Sequence, residues 1–159
     1  MILVTVGTEQ YQFNRLMRWI QILIDRGFVN PQELLVQYGH CSFWPSNVNS
    51  VSLLSRNRFE EYVFQSSLII SHCGEGTLLL LETVHKPYIL VPRCSALGEH
   101  VDDHQIELAL ALEQLHMPIA WSTGDLVRFL ASPRWISPAT FSITEFCQEL
   151  NHRYSSSSQ

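Results

Sequence analysis

The sequence is short of several features that would each announce a function. Its ten lysines and arginines form no run, and the formal charge is −5 with a pI of about 5.7. Nothing in it therefore suits a phosphodiester backbone, and no nucleic-acid partner is expected. No apolar stretch reaches the ~20 residues that cross a bilayer; the longest candidates are cut by Ser71, His72 and Glu82. The amino terminus lacks the pattern of a secretion signal. The four cysteines, Cys41, Cys73, Cys94 and Cys147, include no Cys-x-x-Cys pair, so a reducing cytoplasm is the expected setting. Neither the P-loop nor the six-residue dinucleotide fingerprint is present, and there is no internal repeat.

What is there suffices for one substantial domain. The chain has 159 residues, 46% of them hydrophobic, and a mean hydropathy of +0.04, enough to bury a core. The domain is expected over 1–152, followed by a flexible serine-rich tail at 153–159 that has too little apolar content to order itself.

The most informative stretch runs from Leu68 to Pro92. A short apolar run ends in Ser71-His72, a turn carries Gly74 and Gly76, a helix-length apolar segment follows, and Tyr88 to Val91 forms a second short run. That is the pattern of strand, tight loop, helix, strand. The first amides of a helix lack partners and attract anions, and glycine lets the backbone approach a phosphate or reach positive φ. The same glycines also suit a plain connecting turn, and spacing alone leaves both readings open.

Elsewhere, Ile2 to Val6 reads as a strand leading to Gly7-Thr8. Phe13, Leu16, Met17, Ile20, Leu23 and Ile24 recur at helical spacing, and Leu34 to Tyr38 and Val51 to Leu54 read as further strands. Ser55 is placed to cap a helix over 56–66. Helices are expected over 100–114, 126–130 and 143–150, with a last short strand over 118–121. Strands alternating with helices predict an α/β, Rossmann-like parallel sheet covered by helices on both faces. Ligands of such sheets gather beyond the carboxyl ends of the strands, a rim that here carries Gly7-Thr8, Gly39-His40, His72 to Thr77 and Arg93 to Gln105.

The run Gly98-Glu99-His100-Val101-Asp102-Asp103-His104-Gln105 packs five ionisable groups into a helix start. Glu99, Asp102 and Asp103 complement the positive end of a helix dipole; alternatively, Asp103, His104 and Gln105 offer the donors and acceptors that sugar hydroxyls need. Two other chemistries compete. His100 and His104 share a helical face and could hold a metal with Cys73 or Cys94, although no glutamate follows the first histidine as in zinc hydrolases. Cys73, in a strand-to-helix turn beside His72, has the setting of a nucleophile elbow.

Taken together, Val4 to Thr8, Val36 to His40, Ser71 to Thr77, Lys86-Pro87 through Arg93, and Gly98 to Gln105 resemble the glycosyltransferase family 28 C-terminal domain. The form resembled is the free-standing, PssE-type subunit of exopolysaccharide synthesis, similar to the small subunit of the transferase that adds the second GlcNAc to a dolichol-linked sugar. The resemblance covers about residues 1 to 120. It implies the C-terminal half of a GT-B fold that binds a UDP-sugar for inverting transfer, with no metal or other cofactor. By residue, it implies His72, Gly74, Gly76 and Thr77 at the diphosphate, with Gly7 and Thr8 on the same cleft. Asp103, His104 and Gln105 fall near the donor sugar, and Glu99 and His100 belong to the same stretch.

Two positions depart from the family. Cys73 stands where glycine or alanine is usual, and Leu80 where relatives carry the glutamate that binds the ribose; Glu82 is turned by roughly 200° and cannot replace it. The strand at Ile2 leaves no room upstream for an acceptor-binding half. The resemblance assigns that half, with the general base, to a separate membrane-anchored, PssD-type protein that recruits this one to the membrane's inner face. Phe43, Trp44 and the carboxyl-terminal helix are candidate contacts for it. A copy that binds nucleotide-sugar without turnover is the alternative.

Overall fold

The computed structural model describes residues 1–136 and 142–156. Five strands form one parallel sheet: β1 (Ile2–Thr5), β2 (Leu34–Gln37), β3 (Asn49–Val51), β4 (Leu68–His72) and β5 (Tyr88–Val91). Their spatial order is β3-β2-β1-β4-β5. Among the described residues the α-helices are six: α1 (Asn14–Asp25), α2 (Arg56–Gln65), α3 (Glu75–Val84), α4 (His104–Gln114), α5 (Thr123–Ala131) and α6 (Ile143–Ser156).

Strand side chains alternate between two cores, as the pleat requires. Leu3, Leu35, Ile69 and Leu90 face one layer, where Val63 of α2, Leu78 and Leu81 of α3, Leu108 and Leu112 of α4, and Leu150 of α6 cover them. Val4, Val36, Ile70 and Val91 face the other, against Leu16, Met17 and Ile20 of α1 and Leu126 of α5. Helices thus lie on both faces, and the central strands are buried on both sides. Among the described residues no helix is long and apolar enough to cross a membrane.

Four expectations need correction. The third strand is Asn49–Val51, not Val51 to Leu54; it is an edge strand paired only with β2, so burial imposes little pattern on it. Residues 118–121 make no named strand and join β5 through a single bridge, Leu90 to Ile119. Helix α4 begins at His104 rather than His100, because Asp102 accepts the His104 amide and Asp103 turns back to Ser95. Such local side-chain bonds compete with helix. Finally, α6 runs through Ser156, so the tail does not start at 153. Tyr154 anchors that last turn by donating to Glu107 Oε1, and residues 157–159 lie outside the described residues. Ser55 does cap α2, accepting from the Arg58 amide.

Candidate functional site

Strand order reverses between β1 and β4, and the loops leaving these neighbours diverge to open a crevice. A cleft of about 1050 Å3 lies there. It is lined by Gly7 and Thr8 after β1, by His72, Gly74, Gly76 and Thr77 after β4, and by His100, His104 and Gln105 from the stretch after β5. Nine of the eleven expected site residues therefore meet in one cleft; Glu99 and Asp103 do not. Gly39 and His40 are also off its lining, His40 Nδ1 lying 3.1 Å from the Glu9 carbonyl.

The glycines do something the spacing did not reveal. A Cβ on Gly7 would sit 2.5 Å from His72 Cε1, and one on Gly74 would sit 2.2 Å from His72 Nε2. The His72 ring, 7% exposed, therefore occupies the space that the two missing side chains leave. Gly7 also needs its left-handed backbone, at φ +77°. Burial, the Arg93 charge and His100 hold the His72 pKa down to about 3, so the ring is neutral. Gly76 differs: nothing lies within 4 Å of its Cβ position. The open part of the helix mouth is therefore at Gly76, on the first turn of α3, with the buried Thr77 next to it on the cleft lining.

Beyond His72 the lining turns polar around Asp102, a residue the sequence reading treated only as a dipole partner. Its Oδ1 lies 3.1 Å from His100 Nδ1 and 2.6 Å from His104 Nδ1, and it accepts the His104 amide. Burial pushes the Asp102 pKa up, but hydrogen bonds from the His104 amide and ring, with the charges of both histidines, leave it below the usual carboxylate value. The Tyr154 ring packs on His104 with centroids 4.1 Å apart and the planes tilted by 31°. Two adjacent aspartates look alike in sequence; the turn at 100–103 decides which one faces the cleft. Asp103 accepts the Ser95 amide and hydroxyl, bonds that lower its pKa.

Glu99 is also committed elsewhere. Its carboxylate takes both Arg15 Nε and Nη2, at 2.9 and 2.8 Å, and the Cys94 amide. The Arg93 amide donates to Gln105 Oε1, and Gln105 lines the cleft. The lining also has an apolar component in Leu54, Phe59, Phe64, Leu79 and Leu80. Leu80 lines the cleft and Glu82 does not, as their rotation about the helix requires.

Residues 1–126 match the glycosyltransferase family 28 C-terminal domain. The chain belongs to that family. A solved structure with a similar fold is that of the glycosyltransferase SnogD from Streptomyces nogalater, at a TM-score of 0.53 and 18% identity. The likeness covers 97% of this chain and 39% of SnogD, so the chain spans well under half the length of that protein. A search of curated proteins gave no significant match. The fold is α/β and Rossmann-like, of the kind that forms the C-terminal half of a GT-B glycosyltransferase.

Within this family 28 domain the hydrolase alternatives lose their physical basis. Cys73 is fully buried, and burial, with Cys147 nearby, pushes its thiol pKa up, the reverse of what a nucleophile needs. In native protein Cys73 should resist iodoacetamide for hours while Cys94, partly exposed, is modified; peptide mass mapping checks this, and fast alkylation of Cys73 would contradict it. His100 lies before α4, so the shared helical face assumed for His100 and His104 does not exist. His100, Asp102 and His104 do meet, but their close approaches are to one another, and among the described residues no group of three or more His, Cys, Asp or Glu side chains is placed to hold a metal ion. Phe43 and Trp44 are off the cleft lining, Trp44 stacking on Tyr38 at 4.1 Å.

Proposed function

We propose that this glycosyltransferase-family domain is the donor-binding component of a two-part inverting transferase that uses a UDP-sugar and a lipid-linked acceptor. The observation that carries the reading is the open mouth of α3, at Gly76 and Thr77, facing a cleft at the strand-order reversal. Unpartnered amides there suit a diphosphate. Asp102, His100, His104 and Gln105 offer the mixed donors and acceptors that sugar hydroxyls use, and in this reading the transferred sugar lies at their end. No metal or other cofactor is invoked, because helix amides carry the phosphate charge.

The two-part arrangement is supported by the resemblance to free-standing subunits. In this reading a membrane-anchored partner brings the acceptor and the base that takes its hydroxyl proton, and it holds this domain at the inner face of the membrane in exopolysaccharide or glycolipid synthesis. Leu80 on the cleft lining favours one second reading, a subunit that binds nucleotide-sugar without turnover.

Calorimetry with UDP, UDP-GlcNAc, UDP-glucose, UDP-galactose and UDP-glucuronate tests the donor site, and transfer assayed with and without a membrane-anchored, PssD-type partner separates the two readings. Gly76→Ala is the sharpest probe, because its methyl meets nothing in the protein and alanine suits a helix better than glycine. It should leave unfolding unchanged or slightly later while weakening UDP about tenfold, worth ~1.4 kcal/mol. Undiminished UDP binding in that variant would move the phosphates away from α3.

A further inference from the structure

Among the described residues, the cleft lining holds a single arginine or lysine, Arg56, and its guanidinium is engaged by Glu60 at the surface. A diphosphate brings at least two negative charges to a place with almost no visible cation. One cation lies just behind the wall. Arg93 follows β5 and is fully buried; its Nη2 donates to the Val6 carbonyl at 2.6 Å, and its Nη1 to those of Tyr11 and Glu99 at 2.8 and 2.9 Å. Its Nε has no partner, and its guanidinium carbon lies 4.9 Å from the centre of the Phe13 ring.

Burying a guanidinium costs several kcal/mol unless a carboxylate answers it. Here the carboxylate of Glu99 is bound bidentately by Arg15 instead, so Arg93, Arg15 and Glu99 together keep one net positive charge. Glu9, which also lines the cleft, is exposed, and water screens it. Val6, held by Arg93, directly precedes Gly7, whose Cα supports the His72 ring at the phosphate end. The charge therefore stands one residue behind that floor, in a low-dielectric setting where its field carries further than in water.

We propose that Arg93 is the cation that charges the phosphate end of the cleft, through the β1 loop it holds and without touching the ligand. The proposal rests on the reading of the cleft as a nucleoside diphosphate site. It gives a buried charge work that the three carbonyl bonds alone do not require, since a neutral donor could bridge loops.

The test is titration of UDP, UMP and uridine into wild-type protein and the variants Arg93→Met, Arg93→Lys and Arg15→Gln, by calorimetry or NMR. Arg93→Met should weaken UDP about tenfold or more and UMP less, and leave uridine within about twofold. Arg93→Lys, which keeps the charge and loses the fork, should retain most of the UDP-to-uridine ratio. Arg15→Gln leaves Glu99 unpaired against Arg93, cancels the net charge, and should weaken UDP several-fold while sparing uridine. In Arg93→Met the His72 ring should also titrate at higher pH.

Equal losses across the three ligands would show that Arg93 only shapes the loops, and an unchanged UDP affinity would show that its field does not matter; either overturns the proposal. If Arg93→Met does not fold, Arg15→Gln decides by the same criterion. Absence of UDP binding to the wild-type protein would instead overturn the donor-site reading, and this inference with it.

Discussion

Gly7→Ala should cost the fold about 3 kcal/mol and Gly74→Ala about 2 kcal/mol in urea unfolding, a large share of what a domain of this size has to lose. Both added methyls would collide with the His72 ring, at 2.5 and 2.2 Å. The ring is buried and cannot swing aside without opening its own cavity. Gly7 adds the cost of a side chain at φ +77°, about 1 kcal/mol, whereas Gly74 has an ordinary φ of −98°. The two should therefore part company in double mutants with His72→Ala. Removing the ring should restore Gly74→Ala almost to the His72→Ala level and Gly7→Ala only in part, a positive coupling readable in a double-mutant cycle. A Gly74→Ala loss below about 0.5 kcal/mol would mean that the ring is not wedged there.

The second large effect is on pH. An ordinary histidine takes up its proton near 6.5, whereas buried His72 does so only near 3. Between those values the unfolded chain binds a proton that the folded protein refuses, so stability must fall as pH drops through 6.5. The slope approaches about 1.4 kcal/mol per pH unit and, run to pH 3, amounts to ~4 kcal/mol. Asp102 and Asp103 have lowered pKa values as well. For these the stabilising contribution is present above the unfolded carboxylate value and is lost only as pH falls below about 4. Unfolding curves at pH 7, 6, 5 and 4.5 thus isolate the histidine, and His72→Gln should flatten them over that window. A flat wild-type profile from 7 to 4.5 would show that the ring is not buried in its neutral form.

Much of the fold was legible because it depends on local periodicity. Leu16, Met17, Ile20 and Leu23 could only face one way, and the apolar runs ending at Val6 and His72 marked strands with loops at one rim; that these two strands are neighbours is a matter of topology that periodicity does not carry. The cleft membership of Gly7, His72 and Gly74 was legible too, but not the reason for the glycines. That reason is a contact across 65 positions of sequence, in which one ring fills the space above two backbones. Spacing carries no trace of such a partner. Asp102 was hidden behind Asp103 because a four-residue turn, not a helical register, sets their directions. Arg93 looked like a rim residue, since arginine is rarely buried whole; only three converging carbonyls make it an interior one. Glu99 was misplaced for the same cause, being the answer to Arg15 on α1, a helix 84 residues earlier.

The packing of Tyr154 on His104 sets a schedule for biosynthesis. A ribosome delivers the sheet, the glycine turn and both cleft histidines long before it delivers the aromatic lid of one of them. A nascent chain stopped after α5 therefore lacks α6, whose Cys147 and Leu150 line the cleft and share a core with α3, and its cleft is unfinished. A protease that trims the last turn of α6 would strip the Tyr154 ring from His104 and leave those two residues in place.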